Sequence, residues 1–386
     1  MYAQATLLGK RMPTEIAVEE RTEDTAAPID TDPPRPRRLI RWLFWLIVSA
    51  FSVFFAEVVS GSQPLAFMQF PGTPMMMLIY GIHALVLASI VWRRDRVDFA
   101  SLVFAGVVFG LYEAYITKVI WTPLSSENPI VVGGFNILTA LMLVFVWHPF
   151  MAFIVPLFAV ERCMLSSSDM LAACGPRWRR WLANWPVLVI FAAAMGLFHG
   201  TIMPSFAVAA GSAVGCSLVL LALVWLWTGP VGGGSLTMRE LLPRGIEWIV
   251  LAMLLLAQYV LYGLVWRSDK LPGLGPQAVV WGAYVLFIAL LGMAVTRRPV
   301  PSTRVAVPRR RPSVTTWLVF AAVFAGTSLL VHVPLHSLRH AAYVCIYLTG
   351  IPLGVIAFLL LAFRQIRDVF AGDRNGRSPA AGQTPA

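Results

Sequence analysis

Residues 42–59 read WLFWLIVSAFSVFFAEVV, a run in which Glu57 is the one ionisable side chain. An α-helix of about 20 apolar residues crosses the ~30 Å hydrocarbon core of a bilayer. The run is continuous in its hydrophobicity rather than alternating, which favours a helix over a barrel strand. The segment therefore predicts a transmembrane helix, and the same pattern recurs along the chain.

The apolar runs predict ten spans and an all-α, polytopic transmembrane helix bundle. Hydrophobic residues make up 58% of the chain and charged residues 13%, about half the charged share of a soluble domain. The spans are predicted at Trp42–Val59, Pro74–Trp92, Phe99–Thr117, Ile137–Val160, Trp185–Met203, Phe206–Trp227, Ile246–Val265, Val279–Val295, Thr315–Val333 and Ala341–Phe363.

The positions of the basic residues predict the orientation of this bundle. Cytoplasmic loops of membrane proteins carry an excess of Lys and Arg. If both tails and every second loop are placed on one side, that side holds all but four of the 30 basic residues. The exceptions are Lys118, Arg267, Lys270 and Arg339. We therefore predict a multi-pass protein of the plasma membrane with both termini in the cytoplasm and the lipid bilayer as its partner. The net charge of +11 is explained by these flanking arginines, and without a nucleic-acid-binding module we expect no nucleic-acid partner.

Composition also predicts how the chain is divided. The acidic and Pro-rich start is too poor in large apolar groups to fold alone, and Thr237–Glu240 fits a helix capping box. The predicted parts are a disordered cytoplasmic tail at 1–38, a six-helix membrane block at 39–228, a Gly-rich cytoplasmic linker at 229–245, a four-helix block at 246–363 and a second disordered tail at 364–386.

Ionisable side chains inside spans are candidates for function because burying them in the bilayer costs about 2.5–3.5 kcal/mol on insertion scales. In the predicted orientation they cluster at the middle and outer depth of the first five spans. They are Glu57, His83, Glu113, His148 and His199, with Lys118 at the rim. Glu57 and Lys118 are equally explained by contact with headgroups or water, and a histidine such as His83 is more often a packing residue.

Glu113 and His148 are the strongest of these candidates. A carboxylate in the third span must be protonated, paired or hydrated. Thr117 lies one helical turn after Glu113, and Lys118 is close enough in sequence to reach back toward it. His148 precedes Pro149, and a proline inside a helix frees a carbonyl and kinks the helix.

Four motifs resemble those of an uncharacterised family of prokaryotic polytopic membrane proteins. These are Glu57-Val-Val-Ser-Gly-Ser-Gln-Pro64, Tyr80-Gly-Ile-His83, Glu113-Ala-Tyr-Ile-Thr-Lys118 with Pro123, and His148 followed by Ile154-Val155-Pro156. The relatives usually carry Glu-Glu where this chain has Tyr112-Glu113. The resemblance covers roughly residues 40–185 and implies a shared site without naming its reaction.

A weaker resemblance is to the CAAX-type intramembrane proteases, in which a glutamate helix precedes two histidine helices. Glu113, His148 and His199 occur in that order. This resemblance implies catalysis by the three residues, with the glutamate as general base and the histidines stabilising the oxyanion or binding a metal. Tyr112 and Thr117 stand where those enzymes carry Glu and Arg, and Phe145 is three rather than four residues before His148.

Three hypotheses of function remain open from the sequence. The first, slightly favoured, is a transporter or ligand-handling protein that binds a small solute or ion through Glu57, His83, Glu113, Lys118 and His148. The second is a CAAX-protease-like hydrolase of a lipid or peptide substrate, and the third is a non-catalytic membrane scaffold. The sequence identifies neither a cofactor nor a metal.

Overall fold

The computed structural model describes residues 36–93, 97–121, 130–266, 268–296 and 313–375. The predicted tail at 1–38 therefore lies almost wholly outside the described residues, and so do Pro123 and most of the loop before the ninth span. The described residues are almost entirely helical, with one short antiparallel pair of strands.

Within these described ranges, eight helical segments are long and apolar enough to cross a membrane, and the last of them, Val314–Phe370, covers two predicted spans. The shorter apolar helix Phe99–Ala114 covers one more, and together they confirm the polytopic all-α fold. The helices are α1 Arg38–Val58, α2 Gly72–Val91, α3 Phe99–Ala114, α4 Ile137–Met164, α5 Asp169–Ala173, α6 Gly175–Leu182, α7 Trp185–Ile202, α8 Phe206–Thr228, α9 Met238–Leu241, α10 Ile246–Val265, α11 Leu274–Thr296, α12 Val314–Leu335 and α13 Arg339–Asn375, and the strands are β1 Val131–Val132 and β2 Phe135–Asn136. The short helices α5, α6 and α9 lie in loops. Helix α3 is shorter than the other apolar helices, which are long and apolar enough to cross a membrane.

The last helix is longer than predicted. Helix α13 continues to Asn375, so the prediction of a disordered tail is wrong for residues 364–375. Arg364 Nε lies 4.0 Å from Asp368 Oδ2, one helical turn further on. Side-chain pairs at this spacing favour continuation of a helix beyond its apolar part.

We name the two ends of the bundle by the ends of α1, the Arg38 end and the Glu57 end. Consecutive long helices run in opposite directions between these ends. At the Arg38 end, the Arg41 guanidinium forms a two-pronged ion pair with Glu247 of α10, in which Nη2 lies 2.6 Å from Oε1. This pair fixes the start of α1 to the start of α10.

Glycines allow the closest contacts between helices. A β-carbon built on Gly200 of α7 would lie 2.1 Å from the Ser328 carbonyl oxygen of α12, and one on Gly196 would lie 2.4 Å from that of Phe324. Small residues at such positions let helix backbones approach in a membrane. Because α7 belongs to the first predicted block and α12 to the second, the two blocks pack directly on one another.

The predicted capping box after the Gly-rich linker is confirmed. Thr237 is the N-cap of α9, its backbone N–H donates to the Glu240 carboxylate at 2.7 Å, and the Thr237 hydroxyl accepts from the Glu240 N–H at 3.4 Å. The linker itself is packed at the Arg38 end, where Gly233 lies against the Trp227 ring. It is therefore a structured connection between α8 and α10.

Candidate functional site

Glu113 and His148 form a buried pair inside the bundle. Glu113 lies on the 3₁₀ turn Leu111–Ala114 that ends α3, and its Oε1 is 3.0 Å from Nε2 of His148 on α4. The residues are 5% and 1% exposed, respectively. The Thr117 hydroxyl donates to the second Glu113 oxygen. Both carboxylate oxygens of Glu113 therefore have partners within the protein.

Both ring nitrogens of His148 have hydrogen-bond partners. Its Nδ1 lies 3.0 Å from the Leu143 carbonyl oxygen, which can only accept, so Nδ1 donates. Its Nε2 lies 3.1 Å from the Tyr112 hydroxyl, which is in turn 2.7 Å from the Tyr80 hydroxyl. Nε2 therefore lies between the Tyr112 oxygen and Oε1 of Glu113, where His148 and the carboxyl group can exchange one proton without moving either residue.

A continuous chain of hydrogen bonds connects this pair to the Glu57 end. The Tyr80 hydroxyl donates to one oxygen of the Glu57 carboxylate, and the Ser62 hydroxyl donates to the other. Ser62 is exposed, whereas Tyr80 and Tyr112 are buried. We call this chain the relay; in order, it consists of Ser62, Glu57, Tyr80, Tyr112, His148 and Glu113. It leads from the surface of the protein to a buried acid–base pair.

Helix α4 is widened at the point where it carries His148. Residues Leu143–Ile154 form a π-helix that contains Pro149. Proline has no N–H to donate to the preceding turn, and wide turns of this kind are frequent at functional sites. The wide turn also places the Leu143 carbonyl, five residues before His148, where the imidazole can donate to it.

Two glycines bring α3 onto this widened segment. A β-carbon built on Gly106 would lie 2.5 Å from Cα of Pro149, and one on Gly110 would lie 2.8 Å from Cα of Val144. Only glycine fits such close approaches, because the neighbouring atoms belong to the backbone. The contact places the end of α3, with Tyr112 and Glu113, beside His148.

A similar close approach joins α1 to α2. A β-carbon built on Gly81 would lie 2.7 Å from Cβ of Ser49. This contact brings the neighbouring Tyr80 within reach of the final turn of α1. That turn, Phe54–Val58, is π-helical and carries Glu57, so the relay depends on two wide turns and on close glycine packing.

His83 lies beside the relay, but its hydrogen bonds lead away from it. The imidazole stacks on Phe109 with 4.9 Å between ring centroids, and its Nδ1 donates to the Ile79 carbonyl at 2.7 Å. Its Nε2 is 3.2 Å from the Tyr259 hydroxyl, which in turn accepts from Tyr284 at 2.9 Å. Nε2 therefore accepts from Tyr259, and the imidazole is the neutral Nδ1–H tautomer.

Lys118 is placed away from Glu113, contrary to the contact anticipated from their spacing. Its Nζ donates to the carbonyls of Tyr115 at 2.9 Å and Trp266 at 2.9 Å, and also to that of Tyr262. Two of these carbonyls belong to the end of α10. A cation at the C-terminus of a helix binds the unpaired carbonyls there and stabilises the helix dipole. Lys118 also has a positive φ of 65°. Its backbone therefore forms part of the turn after α3, while its side chain binds the carbonyls.

His199 lies in a different hydrogen-bond cluster from Glu113 and His148. Its Nδ1 is 2.7 Å from the Ser328 hydroxyl of α12, and its Nε2 is 2.9 Å from the Ser212 hydroxyl of α8. Hydrogen bonds between helices at this position tie α7 to both neighbours. Of the three residues proposed for hydrolysis, the structure therefore brings Glu113 and His148 together and places His199 elsewhere.

Sequence reasoning missed the two tyrosines that complete the relay. Tyr80 was noticed only as the first residue of the Tyr-Gly-Ile-His83 motif, and Tyr112 only as a replacement for a glutamate. The Gly106-x-x-x-Gly110 spacing was a usable signal, because it is typical of helices that pack closely in membranes. It would have indicated which face of α3 meets a neighbour.

The chemistry available to the relay is proton exchange. It consists of a hydroxyl, a carboxyl, two phenols, an imidazole and a second carboxyl, and each can accept one proton as it gives up another. Among the residues that the structure describes, no group of three His, Cys, Asp or Glu side chains is placed to hold a metal ion.

The fold and the buried polar chain define a polytopic α-helical integral membrane protein. A family model described as "Uncharacterized membrane protein family" matches residues 46–371. The chain belongs to that family, and the matched range contains the whole relay. This confirms the resemblance to an uncharacterised family seen in the motifs.

One relative is similar over most of the chain. It is a protein of Archaeoglobus fulgidus described as "Uncharacterized protein", 30% identical over 289 residues, which is 74% of this chain and 88% of the relative. No solved structure matches the chain at a significant level.

Proposed function

We propose that this protein is a proton-coupled membrane transporter in which Glu113 and His148 share the coupling proton. The observation that carries the proposal is the relay, which joins the exposed Ser62 hydroxyl to a pair buried in the bundle. An isolated charge at this depth costs several kcal/mol, whereas a pair that exchanges one proton can pass between charged and neutral states. Ionisable groups inside membrane bundles commonly mark such proton pathways.

Helix α4 is the element best suited to couple proton transfer to movement. It extends from the Glu57 end to the Arg38 end, and its π-helical part contains both His148 and Pro149. A helix with a wide turn and a proline has weakened backbone hydrogen bonding at that point. Loss of the charge on His148 removes its attraction to Glu113 and favours a change in the turn.

Hydrolysis has weaker support than transport. The protease-like mechanism requires His199 beside Glu113 and His148, and His199 instead binds Ser212 and Ser328. The scaffold hypothesis explains His199 well, since the imidazole joins three helices. It does not explain why Glu57 and Glu113 are connected through two tyrosines.

We further propose that the Arg38 end faces the cytoplasm of a plasma-membrane protein. The support is the excess of basic residues in the tails and loops at that end, according to the positive-inside rule. The relay then opens to the outside, which is the direction from which a proton gradient drives uptake. Single cysteines introduced at Ser62 and at Arg177 test this in intact cells: a membrane-impermeant maleimide labels only the former if the orientation is correct.

The transport proposal is tested in proteoliposomes. Vesicles containing the wild-type protein are incubated with a mixture of small metabolites under an inward proton gradient, and uptake is measured by mass spectrometry. We expect uptake of at least one solute that requires the gradient and disappears in Glu113→Gln. The control is Asp269→Asn, which removes an exposed carboxylate outside the relay and should retain uptake.

Two results would contradict the proposal. One is uptake that persists after a protonophore collapses the gradient, and the other is equal uptake by wild type and Glu113→Gln. Infrared difference spectroscopy over a pH titration gives a solute-independent check. The other acidic residues also give protonated-carboxyl bands, so the test is the difference between the two proteins, and one such band of the wild type should be missing in Glu113→Gln.

A further inference from the structure

A second polar site lies at the Arg38 end, apart from the relay. A cleft of about 1020 Å³ opens between the start of α3, the loop helices α5 and α6, the end of α11 and the end of α13. No relay residue lines it. Its walls include Ser101, Cys174, Trp178, Leu361, Arg364 and Gln365.

The start of α3 supplies backbone donors to this cleft. Phe99, Ala100 and Ser101 line it, and they form the first turn of the helix, whose N–H groups have no partner within the helix. Asp98 is the N-cap residue, and its side chain makes no capping hydrogen bond. A helix start of this kind favours an anionic ligand through its N–H groups and its dipole.

An unpartnered polar side chain lies at the same place. Gln365 of α13 lines the cleft and is only 2% exposed, and its Nε2 has no hydrogen-bond partner. A buried amide donor without a partner destabilises the folded protein. Such a group at the edge of a cleft is typical of a site that is completed when a ligand binds.

The charged side chains that line the cleft favour a ligand with a small negative charge. Arg364 lines the cleft, and so do Asp98 and Asp368. Asp368 accepts from Arg367 at 3.0 Å, so it is partly neutralised. Asp98 next to the helix start would repel a doubly charged phosphate. A phosphodiester, with a single negative charge, is compatible with both the donors and the carboxylates.

The rest of the cleft favours an amphiphilic ligand. Its lining includes the apolar side chains of Val91, Val97, Ala294, Val295 and Leu361. Trp178 and Leu182 of α6 also line it, and this helix carries Arg177, Arg179 and Arg180 beside two exposed tryptophans. Helices with arginines and tryptophans in this pattern lie in the headgroup region of a bilayer.

We infer that this cleft binds the phosphodiester headgroup of a membrane phospholipid. The phosphate accepts from the first turn of α3, from Gln365 Nε2 and from the Arg364 guanidinium, while the acyl chains follow the apolar wall toward the bilayer. The inference is independent of the proposed transport activity.

Native mass spectrometry of the purified full-length protein tests the inference with defined lipids. Phosphatidylglycerol and phosphatidylethanolamine are added to delipidated protein, and bound lipid is counted per chain. We expect one tightly bound phospholipid. Its affinity should fall about fivefold or more in Gln365→Leu and Arg364→Gln, and remain unchanged in Arg339→Gln. The last variant is the matched control, because Arg339 begins the same helix and does not line the cleft.

Competition distinguishes a lipid from a soluble phosphate. Millimolar glycerol 3-phosphate or inorganic phosphate should leave the bound lipid in place, and complete displacement by either would overturn the lipid as ligand. Equal lipid binding by Arg364→Gln and Arg339→Gln would overturn the site itself. Gln365→Leu adds an independent signature, since removal of an unpaired buried amide should raise the melting temperature without lipid and abolish the further rise on adding it.

Discussion

Nε2 of His148 lies 3.0 Å from Oε1 of Glu113, and these two atoms belong to helices that meet at glycines. The pair is buried and oriented by the Leu143 carbonyl on one side and the Thr117 hydroxyl on the other. It therefore holds a proton at a fixed position within a bundle whose remaining interior is largely apolar.

The first prediction concerns the energy of this pair. Breaking a buried pair by removing one charge costs about 3–5 kcal/mol, and we expect Glu113→Gln or His148→Gln alone to fall near the lower limit because the remaining group can become neutral. The double variant should cost clearly less than the sum of the two. Unfolding in detergent mixtures measures all three, and simple additivity would show that the residues do not interact.

The second prediction concerns the relay. Tyr112→Phe removes one hydroxyl with almost no change in volume, and we expect about 0.5–1.5 kcal/mol less stability together with loss of gradient-driven uptake. Proton transfer should fail because Tyr112 is the link between His148 and Tyr80. Tyr284→Phe is the control, since Tyr284 bonds to Tyr259 outside the relay. Similar loss of uptake in both variants would contradict a specific role for the relay.

The third prediction concerns the glycine contact between α3 and α4. Gly106→Ala places a methyl group 2.5 Å from Cα of Pro149, and overpacking of this kind costs about 1–3 kcal/mol. Gly282→Ala on α11 is the matched control, because nothing lies within 4 Å of a β-carbon there. We expect the first substitution to lower the melting temperature and the second to leave it unchanged or slightly raised.

The fourth prediction separates Lys118 from the proton site. Lys118→Met leaves the carbonyls of Tyr262 and Trp266 without this donor, so we expect a lower melting temperature. The pH dependence of uptake should stay the same in the fraction that remains folded. A shifted pH profile with unchanged stability would instead support the sequence-based prediction that Lys118 binds the substrate.

The fifth prediction concerns Cys174, which lies in the loop between α5 and α6. Burial, followed by the charge of Glu161, raises the pKa of the Cys174 thiol to about 11. The thiolate is the reactive form, so little is present at pH 7 and its share increases as the pH approaches 11. Iodoacetamide labelling, followed by peptide mass spectrometry, should show a rate that rises over pH 7–10. A rate that is already at its maximum at pH 7 would contradict this.

The sequence predicted where the apolar helices lie, because insertion of a helix in a bilayer depends on its own length and hydrophobicity. All ten predicted spans have counterparts among the described residues, and the capping box at Thr237 was also predicted correctly. The end of α13 was not predicted, since charged residues interrupt the apolar run after Phe363 and helix continuation there depends on side-chain pairs such as Arg364 and Asp368.

The chemical types in the candidate site were also visible in the sequence, because an ionisable residue in an apolar run is conspicuous. Which of these residues meet was decided by the tertiary structure. Glu113 reaches His148 because Gly106 and Gly110 let α3 approach α4, while His199 faces the serines of α8 and α12. The sequence determines which segments form membrane helices and how far along each helix a polar residue lies. The rotation of one helix against another follows from side-chain packing between segments that are distant in the chain.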